Sequence, residues 1–223
     1  MRISVGVHPH NARKFTPELQ GRLYDLMADP RVNAVGEIGL DYHYDLSPRP
    51  VQRDVFREQL RMAHEAELPV ALHIREAHQE ALQILEQEGF PKAGVLLHCC
   101  GLGTRELQPW IDAGCYIAYG GVVTFSNSDE VRDGAKLVPL DRLLTETDAP
   151  YMTPVPLRGV DCQPDHVLLT AEYLADLRGA APGPERQAFL EQLRANAKAL
   201  LERQPTDWQR SHEALAKAHR LNW

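Results

Sequence analysis

The amino-acid sequence predicts an α/β fold in which parallel strands alternate with helices, as in an α/β barrel. Short apolar runs typical of buried strands recur along the chain, and segments with helical periodicity separate them. Four of these runs end on or next to a side chain that can bind a metal, which is where α/β barrels carry their chemistry. The six predicted strands are 3–7, 33–38, 69–74, 94–99, 115–119 and 142–147.

The segments between the predicted strands have apolar residues at helical spacing. The first begins with Thr16-Pro17-Glu18, which combines a capping residue, a proline in the first turn and an acidic side chain. The C-terminal segment 205–223 is predicted to be a further amphipathic helix or a frayed tail. The other predicted helices are 16–27, 51–67, 76–88, 104–113, 165–177 and 185–203.

The length of the chain favours one domain. With 223 residues, of which 43% are hydrophobic, the chain can bury one sizeable core but is short for two. We find no linker or internal repeat, so we expect a single domain, 1–223. A closed (β/α)8 barrel needs eight strands, and the sequence supplies about six of the eight strand–helix units. An open six-stranded arc would leave two unpaired edges.

The composition excludes several classes of protein. A formal net charge of −7 argues against a protein that coats nucleic acid non-specifically, although it leaves a nuclease possible. No apolar run approaches the roughly 20 residues that cross a bilayer. The four cysteines have no C-x-x-C spacing, which is typical of reduced thiols in the cytosol. We expect a cytoplasmic protein without membrane association, and we predict no protein partner.

Four side chains of the metal-binding type follow predicted strands. Glu37, His73 and His98 each end an apolar, strand-like run, and Asp148 comes directly after the last strand. Side chains at the carboxyl ends of successive parallel strands point into one shared mouth. Two imidazoles and two carboxylates form a mixed set suited to Zn, Mn or Mg. The sequence therefore predicts a metal-dependent hydrolase that binds one or two divalent ions.

Each of these residues also has a simpler explanation. A single histidine in a strand is more often a buried core residue, and Asp148 before Ala149-Pro150 could cap a turn. Two histidines at equivalent positions of successive strands favour metal ligation. Glu37 needs a partner, because burying a lone carboxylate is costly.

Three other residues, Arg75, His8 and His10, are open to more than one interpretation. Arg75, two residues after His73, is either a surface cation or, as we expect, a partner for an anionic group of the substrate. His8 and His10 follow the first strand, and the pattern allows metal ligation, contact with a ligand residue or contact with substrate.

Five motifs follow one another along about residues 5–196. They are Gly6-Val7-His8-Pro9-His10, Gly36-Glu37-Ile38-Gly39-Leu40-Asp41-Tyr42, Leu68-Pro69-Val70 with His73 and Arg75, His98, and Glu146-Thr147-Asp148-Ala149-Pro150-Tyr151. This ordered series resembles the TatD family of metal-dependent deoxyribonucleases. The resemblance implies a TIM barrel of the amidohydrolase type that hydrolyses phosphodiester bonds of DNA with divalent metals in the cytoplasm.

The resemblance also implies a role for each matching residue. Glu37 corresponds to a carboxylate that can bridge two metals, and His73 and His98 to imidazole ligands of one of them. Asp148 corresponds to the carboxylate near the other metal and the attacking water. Together with Arg75, which we expect to neutralise a phosphoryl oxygen, Glu37 and Asp148 are the predicted catalytic residues.

The chain departs from the family pattern at two places. Most members begin with a strand that bears a His-x-His pair, and no such strand precedes Met1, which suggests that Met1 is not the natural start. Cys162 also stands where members often have Asn in an Arg-Asn-x-Pro-like segment. Two other functions remain open, a hydrolase of small amides, lactones or phosphoesters on the same barrel and a truncated paralogue that no longer catalyses.

Overall fold

The computed structural model describes residues 1–214 and shows an α/β fold. Its six strands follow chain order in a six-stranded sheet, and the pairs β1–β2, β2–β3 and β5–β6 are parallel. Every predicted strand is present, with ends that differ from prediction by three residues at most. The strands are β1 (Ile3–Val5), β2 (Val32–Asp41), β3 (Val70–Arg75), β4 (Val95–Leu97), β5 (Tyr116–Tyr119) and β6 (Leu143–Thr145).

Eight α-helices lie in the described residues. The sequence analysis missed α5, whose buried face consists of the small residues Val131, Gly134 and Ala135. The predicted segment 205–223 is described only as far as residue 214. The helices are α1 (Pro17–Met27), α2 (Arg49–Glu65), α3 (His78–Glu88), α4 (Thr104–Asp112), α5 (Asp129–Leu137), α6 (Val167–Leu177), α7 (Pro184–Leu201) and α8 (Asp207–Ser211).

The chain divides into two compact units, one formed by Met1–Leu96 with the residues from Ala199 onward and the other by Leu97–Lys198. The expected single domain, 1–223, therefore stays a prediction. Within residues 1–214, no helix combines the length and the apolar character that a membrane crossing requires.

The first unit contains β1–β3, α1–α3 and α8. Its core includes Ile38, Leu40 and Leu72, none of which is exposed to solvent. The chain returns to this unit through α8, where the side-chain amide of Gln209 donates to the carbonyl oxygens of Met27 and Val32, both at 2.9 Å. These bonds attach the C-terminal segment to the end of α1 and the start of β2.

The second unit contains β5, β6, α4–α6 and most of α7. Trp110, Ile117 and Leu143 are fully buried in its core. Asn196 on α7 donates from its side-chain amide to the carbonyl oxygens of Leu140 at 2.7 Å and Leu143 at 2.8 Å. This buried amide holds α7 at the beginning of β6.

The strand that carries Glu37 is longer than predicted. The sequence places the strand end at residue 38, but β2 continues to Asp41, so Glu37 lies within the strand and not at its end. Two features extend it: the register with β3 shifts between Gly36 and Ile38, and Gln52 then hydrogen-bonds both the amide and the carbonyl of Asp41. The carboxyl end of β2 is therefore marked by Asp41.

Candidate functional site

Strands β2 and β3 position a carboxylate-rich face in the first unit. Glu37 and Asp41 are four residues apart on β2, and side chains that differ by an even number on a strand point to the same face. The register pairs Gly39 with His73 and Asp41 with Arg75. Gly39 has φ +140°, and a Cβ atom there would lie 2.2 Å from the carbonyl oxygen of His73. Only glycine allows β2 to approach β3 this closely.

Glu37 lies beside two imidazoles. Its Oε2 atom is 3.8 Å from Nδ1 of His73 and 3.9 Å from Nε2 of His8. Ligand atoms around a tetrahedral zinc ion are separated by roughly 3.3 Å, so these distances are close to those of a metal site. The side chain of Glu37 is 39% exposed, so the cluster is open to solvent. The donor set and its spacing fit a divalent ion.

Asp41 is fully buried beneath this cluster. Its Oδ2 atom is 2.8 Å from Nε2 of His10 and 2.9 Å from Nε2 of His73, and Oδ1 accepts the backbone N–H of Tyr44 at 2.8 Å. Burial raises the pKa of Asp41, but the hydrogen bonds from Tyr44, His73 and His10 outweigh it and lower the pKa to about 2. The group is therefore a charged carboxylate at neutral pH.

This carboxylate fixes the protonation of His73. A charged carboxylate only accepts hydrogen bonds, so Nε2 of His73 carries the proton that points at Asp41. In the neutral ring the unprotonated nitrogen is then Nδ1, which is the atom on the Glu37 side. Histidines that bind metals usually donate their other ring N–H to a carboxylate in this way.

His8 and His10 bring two further imidazoles to the same place. The His8 ring centroid is 4.2 Å from that of His73 and 4.3 Å from that of His10, and ligand atoms of the three residues lie within 4.8 Å of one another. The preceding residue, Val7, is held by the side chain of Gln59. Oε1 of Gln59 accepts the N–H of Val7 at 2.6 Å, and Nε2 donates to the Val7 carbonyl oxygen at 3.0 Å. The loop after β1 is thus fixed against α2.

Arg75 ends β3 next to this cluster. Its guanidinium carbon is 4.8 Å from the centroid of the Tyr44 ring, and its backbone carbonyl accepts the N–H of Tyr42 at 3.0 Å. The Tyr44 ring stabilises the Arg75 guanidinium by this cation–π contact.

The second unit contains a second cluster, at the end of β4 and after β6. Nδ1 of His98 is 3.0 Å from Oε2 of Glu146, and Oε1 of Glu146 accepts the backbone N–H of Cys99. Ligand atoms of His98, Cys99 and Glu146 lie within 4.8 Å of one another. Asp148 is half-buried two residues farther along, and its carbonyl accepts the N–H of Tyr151 at 2.6 Å.

The predicted residues come from both units. Glu37 and His73 lie side by side in the first unit, and His98 and Asp148 are residues of the second. Sequence reasoning gave no role to Asp41 or Glu146, the two carboxylates that hold the histidines. Both residues have a signal in the sequence. Asp41 is four residues after Glu37 on β2, and Glu146 is two residues before Asp148 after β6, and an even spacing in extended chain places two side chains on the same face.

Comparison with known proteins identifies the family of this chain. The model of the family described as TatD related DNase matches residues 1–202. YabD of Bacillus subtilis (strain 168), named an uncharacterized metal-dependent hydrolase, is 38% identical over 175 residues, which cover 78% of this chain and 69% of that protein. YcfH of Escherichia coli (strain K12) has the same description and is 42% identical over 179 residues, which cover 80% of this chain and 67% of YcfH.

A third relative has a named activity. The 3'-5' ssDNA/RNA exonuclease TatD of Citrobacter koseri is 36% identical over 185 residues, which cover 80% of this chain and 71% of that protein. Among solved structures, YJJV, a TatD homologue of Escherichia coli K12, has a TM-score of 0.80 at 27% identity. The match covers 91% of this chain and 77% of the YJJV chain. A TatD family hydrolase of Entamoeba histolytica has a TM-score of 0.78 at 21% identity, with coverage of 92% and 75%. The predicted α/β fold of the TIM-barrel type, with six strands, is confirmed.

Proposed function

This chain belongs to the TatD-related DNase family of metal-dependent hydrolases, and we propose that it is a deoxyribonuclease that cleaves phosphodiester bonds of DNA. The observation that carries the proposal is the position of Glu37 beside Nδ1 of His73, with the buried Asp41 behind the ring. The relative named as an ssDNA/RNA exonuclease supports a nucleic-acid substrate. None of the cysteines in residues 1–214 forms a disulfide, which supports a cytoplasmic location.

The metal ligands that we propose are Glu37, His73, His98 and Asp148, which hold one or two ions of Mg, Mn or Zn. Two imidazoles and two carboxylates form a mixed nitrogen and oxygen donor set that all three of these metals accept. Asp41 and Glu146 support the proposal, because each orients one of the two histidines by accepting a ring N–H.

The proposed reaction is hydrolysis of a phosphodiester. A divalent ion, when bound, acidifies water and polarises a phosphoryl oxygen. Asp148 orients the attacking water and accepts its proton. Arg75 neutralises a non-bridging oxygen as negative charge builds up. Glu37 would hold the metal as a carboxylate ligand shared between the ions if two are bound.

Two experiments test this function. In the first, the protein is stripped with a chelator and assayed on single- and double-stranded DNA with Mg, Mn or Zn, next to a panel of amides, lactones and small phosphoesters. We expect DNA cleavage that depends on added metal and a much slower reaction on the panel. Fast turnover of a panel compound without any DNA cleavage would refute the proposal.

In the second, calorimetry measures Mn or Zn binding to the stripped wild-type protein and to His98→Ala and Glu37→Gln. We expect both variants to bind the metal far more weakly than the wild type. Glu76→Gln is the matched control, since Glu76 is 63% exposed and pairs with His43 in a surface contact. If His98→Ala and Glu37→Gln both bound the metal with wild-type affinity, the proposed metal site would be wrong.

A further inference from the structure

The segment that follows Asp148 exposes an unusual amount of apolar surface. Eleven large apolar side chains are exposed among the described residues, and five of them lie within residues 151–160. Tyr151 is the most prominent of the five, with 70% of its surface exposed, and Val160 is 58% exposed. Exposed apolar side chains that cluster in this way mark interaction surfaces. We call residues 149–162 the post-Asp148 loop.

Internal hydrogen bonds hold the post-Asp148 loop in one conformation. The hydroxyl of Thr153, which is only 3% exposed, donates to the carbonyl of Val160 at 2.6 Å. The N–H of Cys162 donates to the carbonyl of Pro150 at 2.9 Å, which closes the loop at its base. The apolar side chains are therefore presented by a fixed backbone, which lowers the entropy cost of binding a partner.

The loop is also anchored to the segment after β5. The N–H of Val155 donates to Oγ1 of Thr124 at 2.9 Å. A Cβ atom at Gly121 would lie 1.9 Å from the carbonyl oxygen of Met152, so a glycine is required where the two backbones meet. The guanidinium carbon of Arg158 lies 3.9 Å from the centroid of the Phe125 ring. This places a cation among the exposed apolar side chains.

Charge and position indicate what this surface binds. With a formal net charge of −7, the chain cannot attract nucleic acid by a general positive field, so uncharged contacts must supply part of the affinity. Tyr151 is three residues from Asp148 and is tied to it by the backbone bond at 2.6 Å. A tyrosine face stacks on any base, whatever the sequence.

We propose that the ring of Tyr151 is a stacking platform for an unpaired nucleobase next to the scissile phosphodiester, with Arg158 contacting the backbone phosphate. This proposal rests on the proposed function and deepens it, because a base inside a duplex is covered on both faces by its neighbours and can stack on the ring only after it leaves the duplex. The preferred substrate is then single-stranded DNA or a frayed end.

The test compares wild-type protein with Tyr151→Ala and Tyr151→Phe in binding to a fluorescent single-stranded oligonucleotide, by anisotropy in the presence of a chelator. A second oligonucleotide has the same length and charge but abasic sites at its terminal nucleotides. We expect Tyr151→Ala to weaken binding of the first oligonucleotide by about tenfold and Tyr151→Phe to leave it unchanged. Neither variant should alter binding of the abasic oligonucleotide. Leu168→Ala, at a residue that is 66% exposed on α6, is the control for loss of apolar surface.

The possible failures are distinguishable. A wild-type protein that neither binds nor cleaves any DNA would refute the proposed function and this inference together. Wild-type cleavage with equal binding by Tyr151→Ala would refute the stacking role alone. If Val160→Asp instead abolishes self-association of the protein and leaves oligonucleotide affinity unchanged, the surface is a contact between copies of this chain, and the inference is wrong.

Discussion

The buried carboxylate of Asp41 accepts a hydrogen bond from Nε2 of His73 at 2.9 Å, and this bond determines which ring nitrogen of His73 can bind a metal. The other nitrogen, Nδ1, is 3.8 Å from Oε2 of Glu37. A histidine without such a partner could adopt either tautomer or rotate its ring. Asp41 therefore acts on the site through His73, as a positioning residue.

Replacing Asp41 with asparagine should weaken metal binding. The introduced amide would be neutral and could not hold both histidines as hydrogen-bond donors, so His73 would lose its fixed tautomer. We expect the affinity for Mn, measured by calorimetry on the stripped protein, to fall by about 10- to 100-fold. Asp45→Asn is the control, because Asp45 pairs with Arg49 on the surface. Equal affinities in Asp41→Asn and wild type would show that the carboxylate has only a structural role.

Glu146 should have the same influence on His98. Glu146→Gln keeps the size of the side chain but removes the charge that holds Nδ1 of His98 and the N–H of Cys99. We expect a loss of metal affinity of about 10-fold or more while the circular dichroism spectrum is retained. Glu106→Gln, at an exposed position of α4, should behave as wild type. If Glu146→Gln bound the metal as tightly as wild type, Glu146 would not be needed to orient His98.

Gly39 should be essential for stability. A Cβ atom at this position meets the His73 carbonyl oxygen at 2.2 Å, and its φ of +140° is strained for any other residue. We expect Gly39→Ala to lower the free energy of unfolding, measured with urea, by about 3 kcal/mol or more. In Gly21→Ala, where no atom lies within 4 Å, the helix should instead gain about 1 kcal/mol. A Gly39→Ala variant as stable as wild type would contradict the close approach of β2 to β3.

Cys115 should be unreactive in the folded protein even at alkaline pH. The thiol is 1% exposed, and burial raises its pKa to about 12. Since only the thiolate is nucleophilic, alkylation at about pH 9 should be negligible in the native state and rapid in denaturant. Peptide mapping by mass spectrometry after treatment with iodoacetamide measures this directly. Rapid native-state labelling of Cys115 would show that the site opens to solvent.

The sequence was sufficient to predict the fold class, because the six apolar runs and the helical periodicity between them are local signals. It also predicted that Glu37 and His73 lie together, since both follow from strand order. The positions of Asp41 and Glu146 were harder to predict. Their importance depends on hydrogen bonds with residues 32 and 48 positions away in the chain, and spacing alone does not reveal such contacts.

Two other features could not be predicted for physical reasons. α5 contains Gly134, a poor helix former, and its buried residues Val131, Gly134 and Ala135 are small, so the helix depends on its packing in the folded chain although these residues recur at helical spacing. The extension of β2 to Asp41 depends on the side chain of Gln52, which satisfies the strand end from a helix. Both features arise from contacts that form only in the folded chain.

The measurement that tests the central claim most directly is cleavage of labelled DNA by wild type and Asp148→Asn, each stripped of metal and supplied with Mn. Asparagine keeps the size and hydrogen-bonding capacity of the side chain but cannot accept the proton of the attacking water. We expect wild type to cleave only with metal, and Asp148→Asn to be slower by about two orders of magnitude or more with little change in melting temperature. Undiminished cleavage by Asp148→Asn, or cleavage by wild type in excess chelator, would contradict the account.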